Sequence, residues 1–258
     1  MTHFVPEDHP RAESLQIRER IIDGFTRNVV ATAGLLAHGR GEAFDYLLGE
    51  RTTDWARSAC RTAVAALLLA SKPVISINGN VAALLPKELV ELGRLLKAPL
   101  EVNLFYRTEE REDAIAQILS EAGAIEILGV GKARKTIPEL SSLRRVVDPE
   151  GIFKADCVLV PLEDGDRTEA LRNLKKTVVT IDLNPMSRTA INADITIVDN
   201  VIRAIPVMIS LVREMQGTSK DELREILENW DNLANLHNSL ETMKKNMDVF
   251  IPELKTKK

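Results

Sequence analysis

From Lys72 onward, short apolar runs rich in β-branched residues recur with helix-forming segments between them, and this alternation constrains the fold more than any other feature. The runs are PVISI at 73–77, PLEVNLF at about 99–105, AIEILGV, ADCVLVPL, KTVVTIDL and ADITIV. Each is the length of a strand and is bounded by turn residues. Strands separated by helices pair in parallel, so the pattern predicts a mainly parallel, six-stranded α/β core of Rossmann-like type. ADCVLVPL is apolar throughout, as a strand covered on both faces must be. Pro86 opens a helix through Leu96, and Thr108 caps the acidic helix EEREDAIAQILSEAG. The stretch from about Gly131 to Gly151 contains two prolines and reads as a linker. Of the segments 163–176 and 183–194, only the first has room for a full helix. Strand order in the sheet is not readable from this pattern.

The flanks are helical. Leu15, Ile17, Ile21, Ile22 and Phe25 follow a helical spacing from Pro10 to about Phe25. A small-residue turn is expected at Ala31–Gly34 and a loop at His38–Gly41, and Thr52 or Thr53 caps a helix running to about Ser71. After Asp199 a helix extends through about Gln216. Thr218 or Ser219 then begins a long charged helix towards Met247. On it, Leu223, Ile226, Trp230, Leu233, Leu240 and Met247 approach a three/four spacing that His237 interrupts. That helix either packs on its own domain or serves as a dimerisation arm. The chain therefore divides into an N-terminal helical segment (1–71) packed on the core, an α/β core (72–216) and a C-terminal helical arm (217–258), integrated in one domain.

Composition narrows the function. Among 258 residues, 34 are basic and 38 acidic, a net charge of −4, which excludes a strongly basic nucleic-acid binder. The most apolar stretch, Ala63–Ala70, is far shorter than the roughly 20 residues a membrane span needs. The opening MTHFVPEDHPRAES lacks the features of a secretory signal, so a cytoplasmic location is expected. Cys60 and Cys157 stand alone, and the four histidines are scattered, so no protein-built metal site is expected.

Ligands of such sheets gather beyond the carboxyl ends of the strands. Polar residues stand there: Asn78-Gly79-Asn80 after PVISI, Asn103 and Arg107 around the end of PLEVNLF, Glu163, Asp164 and Asp166 after CVLVPL, Asp182-Leu183-Asn184, and Asp199-Asn200. Each alone is also ordinary turn chemistry; their recurrence at strand ends carries the inference. His38-Gly39-Arg40-Gly41, read as a glycine loop before a helix, combines backbone amides and a guanidinium suited to a polyphosphate, and a plain surface loop is the alternative. Arg188 and Thr189 suit a second phosphate contact. Neither GxxxxGK[ST] nor a complete dinucleotide fingerprint is present. With no nucleophile beside a general base, phosphoryl or nucleotidyl transfer fits these arginines better than covalent hydrolysis.

The strings HGRGEAFDYLLGE (38–50), ISINGNVAALLP (75–86), EVNLFYRTEERE (101–112), ILGVG (127–131), VDPEGI (147–152), VLVPLEDGDRTEAL (158–171) and IDLNPMSRTA (181–190), in this order, resemble the archaeal phosphopantothenate synthetase family. The resemblance covers nearly the whole chain. It implies a homodimeric 4-phosphopantoate:β-alanine ligase of coenzyme A biosynthesis that uses ATP with Mg2+ and forms AMP and diphosphate through an acyl adenylate. It also implies ATP contacts at Arg18, Arg40, Asp182, Leu183, Asn184, Arg188, Thr189, Asp199 and Asn200. For phosphopantoate, Arg107 beside Asn103 is a candidate phosphate partner, with Asn78 and Asn80 for its hydroxyl or carboxylate. Glu163, Asp164 and Asp166 are candidates for the β-alanine ammonium, for a water-mediated magnesium, or simply for a helix cap. A non-catalytic ATP-binding regulatory module is the alternative function.

Overall fold

The computed structural model describes residue 8 and residues 11–131, 134–138, 140, 142–162 and 164–256, with the side chains of the last helix described to Val249. Glu163 lies outside the described residues. The chain forms an α/β fold on a six-stranded sheet. In chain order the sheet strands are β1 (Pro73–Ile77), β2 (Leu100–Val102), β3 (Ile127–Leu128), β6 (Cys157–Pro161), β7 (Thr177–Ile181) and β8 (Ile195–Ile197). Their spatial order is β3-β2-β1-β6-β7-β8, and every neighbouring pair is parallel. The winding reverses between β1 and β6, so the sheet has a topological switch point there, where a crevice opens.

Alternate residues of β1, β6 and β7 serve two cores, so these strands are buried along nearly their whole length. Ile75, Leu159 and Val179 face one cluster with Ala63, Leu89 and Met208, which come from helices α3 (Asp54–Leu69), α5 (Pro86–Leu96) and α9 (Val201–Met215). Val74, Val158, Val160 and Val178 face the other, with Ala170 and Leu171 of α7 (Gly165–Asn173). Thr53 caps α3 by accepting from Ala56 N, and Thr108 caps α6 (Glu109–Glu121) by accepting from Arg111 N, as expected of those residues.

The segment read as a linker has a packed role. It forms an antiparallel pair, β4 (Lys135–Thr136) with β5 (Val146–Val147), and buries Ile137, Leu140, Val147 and Ile152 on the second sheet face. Burial of these side chains overrides the prolines that suggested an unpacked connection. The segment is tied down by Glu101 of β2, which has no exposed surface and accepts from Asp148 N at 2.9 Å and Ile152 N at 2.5 Å. Burial pushes the Glu101 carboxyl up to about 7, although the two amide bonds favour its charged form. The folded protein thus holds this proton more tightly than the unfolded chain does. The resulting stability is fully present below the unfolded value of 4.5 and is lost as pH rises through about 7; the change amounts to at most about 3 kcal/mol. Wild-type protein should therefore lose more thermal stability between about pH 5 and pH 8 than Glu101→Gln does. Melting curves that move in parallel would remove Glu101 from this account.

The HGRG stretch is helical rather than a loop. Helix α2 (Thr32–Leu48) follows α1 (Ala12–Thr26) and runs through His38, Gly39, Arg40 and Gly41 without interruption. Gly34 also lies within it, so the turn expected at Ala31–Gly34 falls earlier, with Ala31 as N-cap. An interior helical glycine costs only about 1 kcal/mol, and the good helix formers on both sides, together with burial of Asp45 and Leu48, outweigh that. The amides expected to cradle phosphate are committed to the helix. A second addition is α4 (Gly79–Leu84), a short helix where a polar loop was expected, capped by Asn78.

The C-terminal helix is broken in two. Ser219 opens α10 (Lys220–Glu228) with a capping box, and α11 (Asn232–Thr256) follows, with Asp231 Oδ1 accepting from Ala234 N. The break has a tertiary cause: Trp230 Nε1 donates to Asp194 O at 3.0 Å. Beside it, Asn232 Oδ1 accepts from Thr196 N and Asn235 Nδ2 donates to Thr196 O, both at 2.8 Å. Two side chains of α11 thereby take the place of a missing neighbour on the edge strand β8. The face of α11 that packs inward carries Asn235, Leu236, Ser239 and Met243, whereas Leu233 is 65% exposed. Helix α8 (Arg188–Asn192) lies between β7 and β8 and completes the fold.

Candidate functional site

The carboxyl ends of β1, β6 and β7 open into a cavity of about 760 Å³, bounded above by α2. This volume lies in the range of small-molecule sites. After β1, Asn78 uses its Oδ1 to cap α4 and its Nδ2 to donate to Pro161 O at 2.8 Å, stitching the two strands at the switch point. Leu162, which follows β6, has φ of +54° and lines the cavity. A branched side chain in the left-handed region is uncommon and marks a backbone held by its surroundings. Asn80, two residues beyond Asn78, donates to Gly34 O and also lines the cavity.

Across the switch point, β7 delivers Asp182, Leu183 and Asn184 to the cavity. Asp182 is fixed in one orientation: Oδ1 accepts from Asn184 N at 2.9 Å and Oδ2 from the Ser187 hydroxyl. Burial raises its pKa, against the pull of those two bonds and of Arg40. Arg40 of α2 lines the same cavity, acts on this carboxylate only through its charge and forms no hydrogen bond or ion pair among the described residues, so its guanidinium is available to a ligand. His38 and Gly41 line the same wall; Gly39 does not. Burial also lowers the pKa of His38, despite the nearby Glu42.

The remaining expected residues occupy other places. Arg18 of α1 lies outside the cavity lining, paired with Glu42 at 2.7 Å; Glu42 itself lines the cavity. Asp199 has no exposed surface and pairs with Arg203 at 2.6 Å, while its neighbour Asn200 lines the cavity. Thr189 is buried. Arg188 is on the surface, bound to Asp166 at 2.6 Å and to Glu169. Asp164 lines the cavity and caps α7 by accepting from Arg167 N.

Asn103 and Arg107 stand behind the site rather than in it. Asn103 is wholly buried and donates to the Arg144 and Val146 carbonyls; Arg107 pairs with Glu112 and donates to the Val146 and Gly129 carbonyls. Together they hold the backbone that carries Arg144. That arginine and Arg111, absent from the sequence-based set, line the cavity. Burial first, and the nearby Arg167 second, lower the pKa of Arg144 to about 10, against the opposing pull of Asp164 2.6 Å away. The only sequence signals for these two were a basic residue inside an acidic helix start and an Arg-Arg pair in a presumed linker.

Among the described residues no group of three or more His, Cys, Asp or Glu is placed to hold a metal, and no helix is long and apolar enough to cross a membrane. Cys60 and Cys157 are buried thiols whose pKa is pushed up by burial, consistent with packing roles.

A family model described as phosphopantothenate/pantothenate synthetase matches residues 55–246. A 4-phosphopantoate–β-alanine ligase of Thermococcus onnurineus is 57% identical to this chain over 237 residues, which is 92% of this chain and 90% of that protein. The ligase of the same name from Thermococcus kodakarensis is 58% identical over 229 residues, 88% of this chain and 87% of that protein. That from Methanosarcina mazei is 48% identical over 249 residues, 96% of this chain and 98% of that protein. With similarity this high running through both the sheet and its polar strand ends, the chain belongs to the phosphopantothenate/pantothenate synthetase family.

Proposed function

We propose that this protein is the ATP-dependent ligase that condenses (R)-4-phosphopantoate with β-alanine to give 4′-phosphopantothenate, AMP and diphosphate in coenzyme A biosynthesis. The relatives named above are ligases of 4-phosphopantoate and β-alanine by name. The observation that carries the reading is the shared cavity, whose lining joins Arg40, Asp182, Asn184 and Asn200 with a second polar set, Asn78, Asn80, Arg111 and Arg144. A pure nucleotide sensor has no need of the second set.

In the reaction, an oxygen of the phosphopantoate carboxylate attacks the α-phosphorus of ATP and the bond to diphosphate breaks, leaving an acyl adenylate. The amine of β-alanine then attacks the acyl carbon, the bond to AMP breaks, and the amine loses a proton. Charge spreads over phosphoryl oxygens in the first step, so fixed cations and positioning supply much of the rate. Arg40 supplies such a cation beside Asp182, which is held ready to accept from a ribose hydroxyl. Of the acidic candidates, Asp164 lines the cavity, paired with Arg144 at 2.6 Å, and would meet the β-alanine ammonium there, whereas Asp166 is held by Arg188 on the surface. Magnesium, when bound, offsets triphosphate charge. The cavity fits an ion that would arrive with the nucleotide and take a carboxylate of the lining such as Asp182, since among the described residues no group of three or more His, Cys, Asp or Glu is placed to cage one. A homodimer belongs to the same proposal, and Leu233 and Met247, exposed on α11, are side chains it would cover.

The test is product stoichiometry. AMP and diphosphate should appear only when phosphopantoate and β-alanine are both supplied. ADP with orthophosphate would remove the adenylate step, and nucleotide binding without turnover would favour the regulatory module. Arg40→Ala should weaken ATP binding by on the order of 10- to 100-fold, the loss of one charge-assisted contact, with turnover falling alongside. Unchanged ATP affinity would move the polyphosphate elsewhere.

A further inference from the structure

Helix α2 crosses the cavity from one half of the sheet to the other, and its cavity side carries Gly34, His38 and Gly41, whose spacing of four and three residues puts them on one helical face. Gly34 O accepts from Asn80 Nδ2 at 2.9 Å, beyond β1. A Cβ on Gly41 would stand 3.6 Å from Leu183 Cδ1, beyond β7. At about 1.5 Å of rise per residue, His38 lies about 6 Å along the axis from the first contact and about 4.5 Å from the second. It therefore overhangs the seam of the site, between the polar residues that follow β1 and the Asp182–Asn184 stretch proposed for the nucleotide.

In the proposed reaction the β-alanine nitrogen docks as an ammonium, which has no lone pair with which to attack, so a group in the site has to take a proton from it first. The arginines of the lining hold no acceptor atom. Its carboxylates already accept from fixed donors: Glu42 from Arg18 at 2.7 Å, Arg11 at 2.9 Å and the Tyr46 hydroxyl, Asp164 from Arg144 at 2.6 Å, and Asp182 from Ser187 and Asn184 N. His38 forms no hydrogen bond or ion pair among the described residues, so neither ring nitrogen is committed elsewhere. Burial lowers its pKa below the ordinary 6.5; Glu42 opposes this and Arg18 reinforces it. The ring is thus neutral, and able to accept a proton, at neutral pH. The other charged groups around it are Glu13, Asp45, Glu50 and Arg203, which share a smaller hollow with His38, and Arg40 and Asp182 in the cavity. Asp45 and Arg203 are paired with each other.

We infer that His38 is the general base of the amide-forming step. Its neutral ring takes one proton from the β-alanine ammonium, and the freed lone pair forms the C–N bond at the acyl carbon. The bond from that carbon to the AMP phosphate oxygen breaks, and its electron pair stays on the oxygen. A second proton passes from the nitrogen to that oxygen, and His38 returns the first to water. This inference rests on the ligase reading above and adds a residue to its second step only.

The experiment reads the two steps separately in wild type and His38→Gln. The first is the exchange of labelled diphosphate into ATP with phosphopantoate and no amine. The second is the rate at which enzyme holding the adenylate consumes it when β-alanine or hydroxylamine is added. Hydroxylamine is unprotonated at neutral pH and needs no base. His38→Gln should slow attack by β-alanine on the order of 100-fold or more, while diphosphate exchange and attack by hydroxylamine stay within about threefold of wild type. The wild-type β-alanine rate should fall as pH drops through the His38 pKa, below 6.5, and be level above it. In His38→Gln it should climb steadily with pH, because only the rare free amine reacts. Loss of diphosphate exchange in His38→Gln would make His38 a nucleotide contact, and equal slowing with both amines would make it structural; either overturns the assignment. If the variant does not fold, wild type still decides, since a β-alanine rate that climbs with pH without levelling has the same overturning effect. A wild-type enzyme that exchanges no diphosphate and makes no phosphopantothenate defeats the ligase reading itself.

Discussion

Asp199→Ala is expected to destabilise the protein by about 3 kcal/mol or more, because it breaks a buried ion pair from one side. Asp199 accepts from Thr52 Oγ1 at 2.6 Å, from Arg203 at 2.6 and 2.9 Å, and from Asn200 N at 2.7 Å. Burial raises its pKa although Arg203 and Thr52 favour the charged form. Without it, Arg203 keeps only Asp45, Thr52 loses its acceptor just ahead of the α3 cap, and the cavity residue Asn200 loses a fixed anchor. Denaturant unfolding and ATP titration should therefore change together in Asp199→Ala. Asn200→Ala should weaken ATP binding with a smaller loss of stability. A stability loss under about 1 kcal/mol for Asp199→Ala would show that the pair is dispensable. Under the proposed function Asp199 would act on the nucleotide only through Asn200, because it has no surface of its own to present.

The second large effect is expected at Gly79. A methyl group there would overlap the Val29 carbonyl oxygen and sit 2.9 Å from Arg111 Nη2. Both obstacles are held: Val29 is wholly buried, and Arg111 is bonded to that same carbonyl. Relief requires moving α4 away from the connection between α1 and α2. Gly79→Ala should cost on the order of 3 kcal/mol and lower kcat/KM for phosphopantoate by displacing Arg111. The contrasting substitution is Gly39→Ala. Gly39 lies inside α2 with open space where a Cβ would go, so alanine should stabilise the protein by about 0.5–1 kcal/mol. Thermal melts of the two variants should move in opposite directions. Destabilisation by Gly39→Ala would restore the loop reading of HGRG.

These two glycines show where local chemistry is a good guide and where it is not. Glycine in HGRG matched the composition of a phosphate loop, and only packing shows that the stretch is helical and presents a side chain, Arg40, in place of amides. Arg107 and Arg111 lie four residues apart, one just ahead of α6 and the other in its first turn, and are alike as sequence features. Glu112 neutralises the first, while the second meets only carbonyls. Nothing in the residues around them distinguishes those environments, since the partners Val29 and Val146 come from distant parts of the chain.

Sequence alone determined the elements whose physics is short-range. The runs that form β1, β6 and β7 were legible as strands, and ADCVLVPL as one covered on both faces; in the fold all three are buried along nearly their whole length. Thr53, Thr108 and Ser219 satisfy amides three residues away, so their helix starts were legible without a fold. The polar strand ends were legible for the same reason, because residues that tolerate turns must follow each strand. Tertiary structure alone decided the strand order, the break before α11, the packing of β4 and β5, and which polar residues meet in one cavity. Each depends on groups far apart in sequence, and their contact energy exists only once the chain has brought them together.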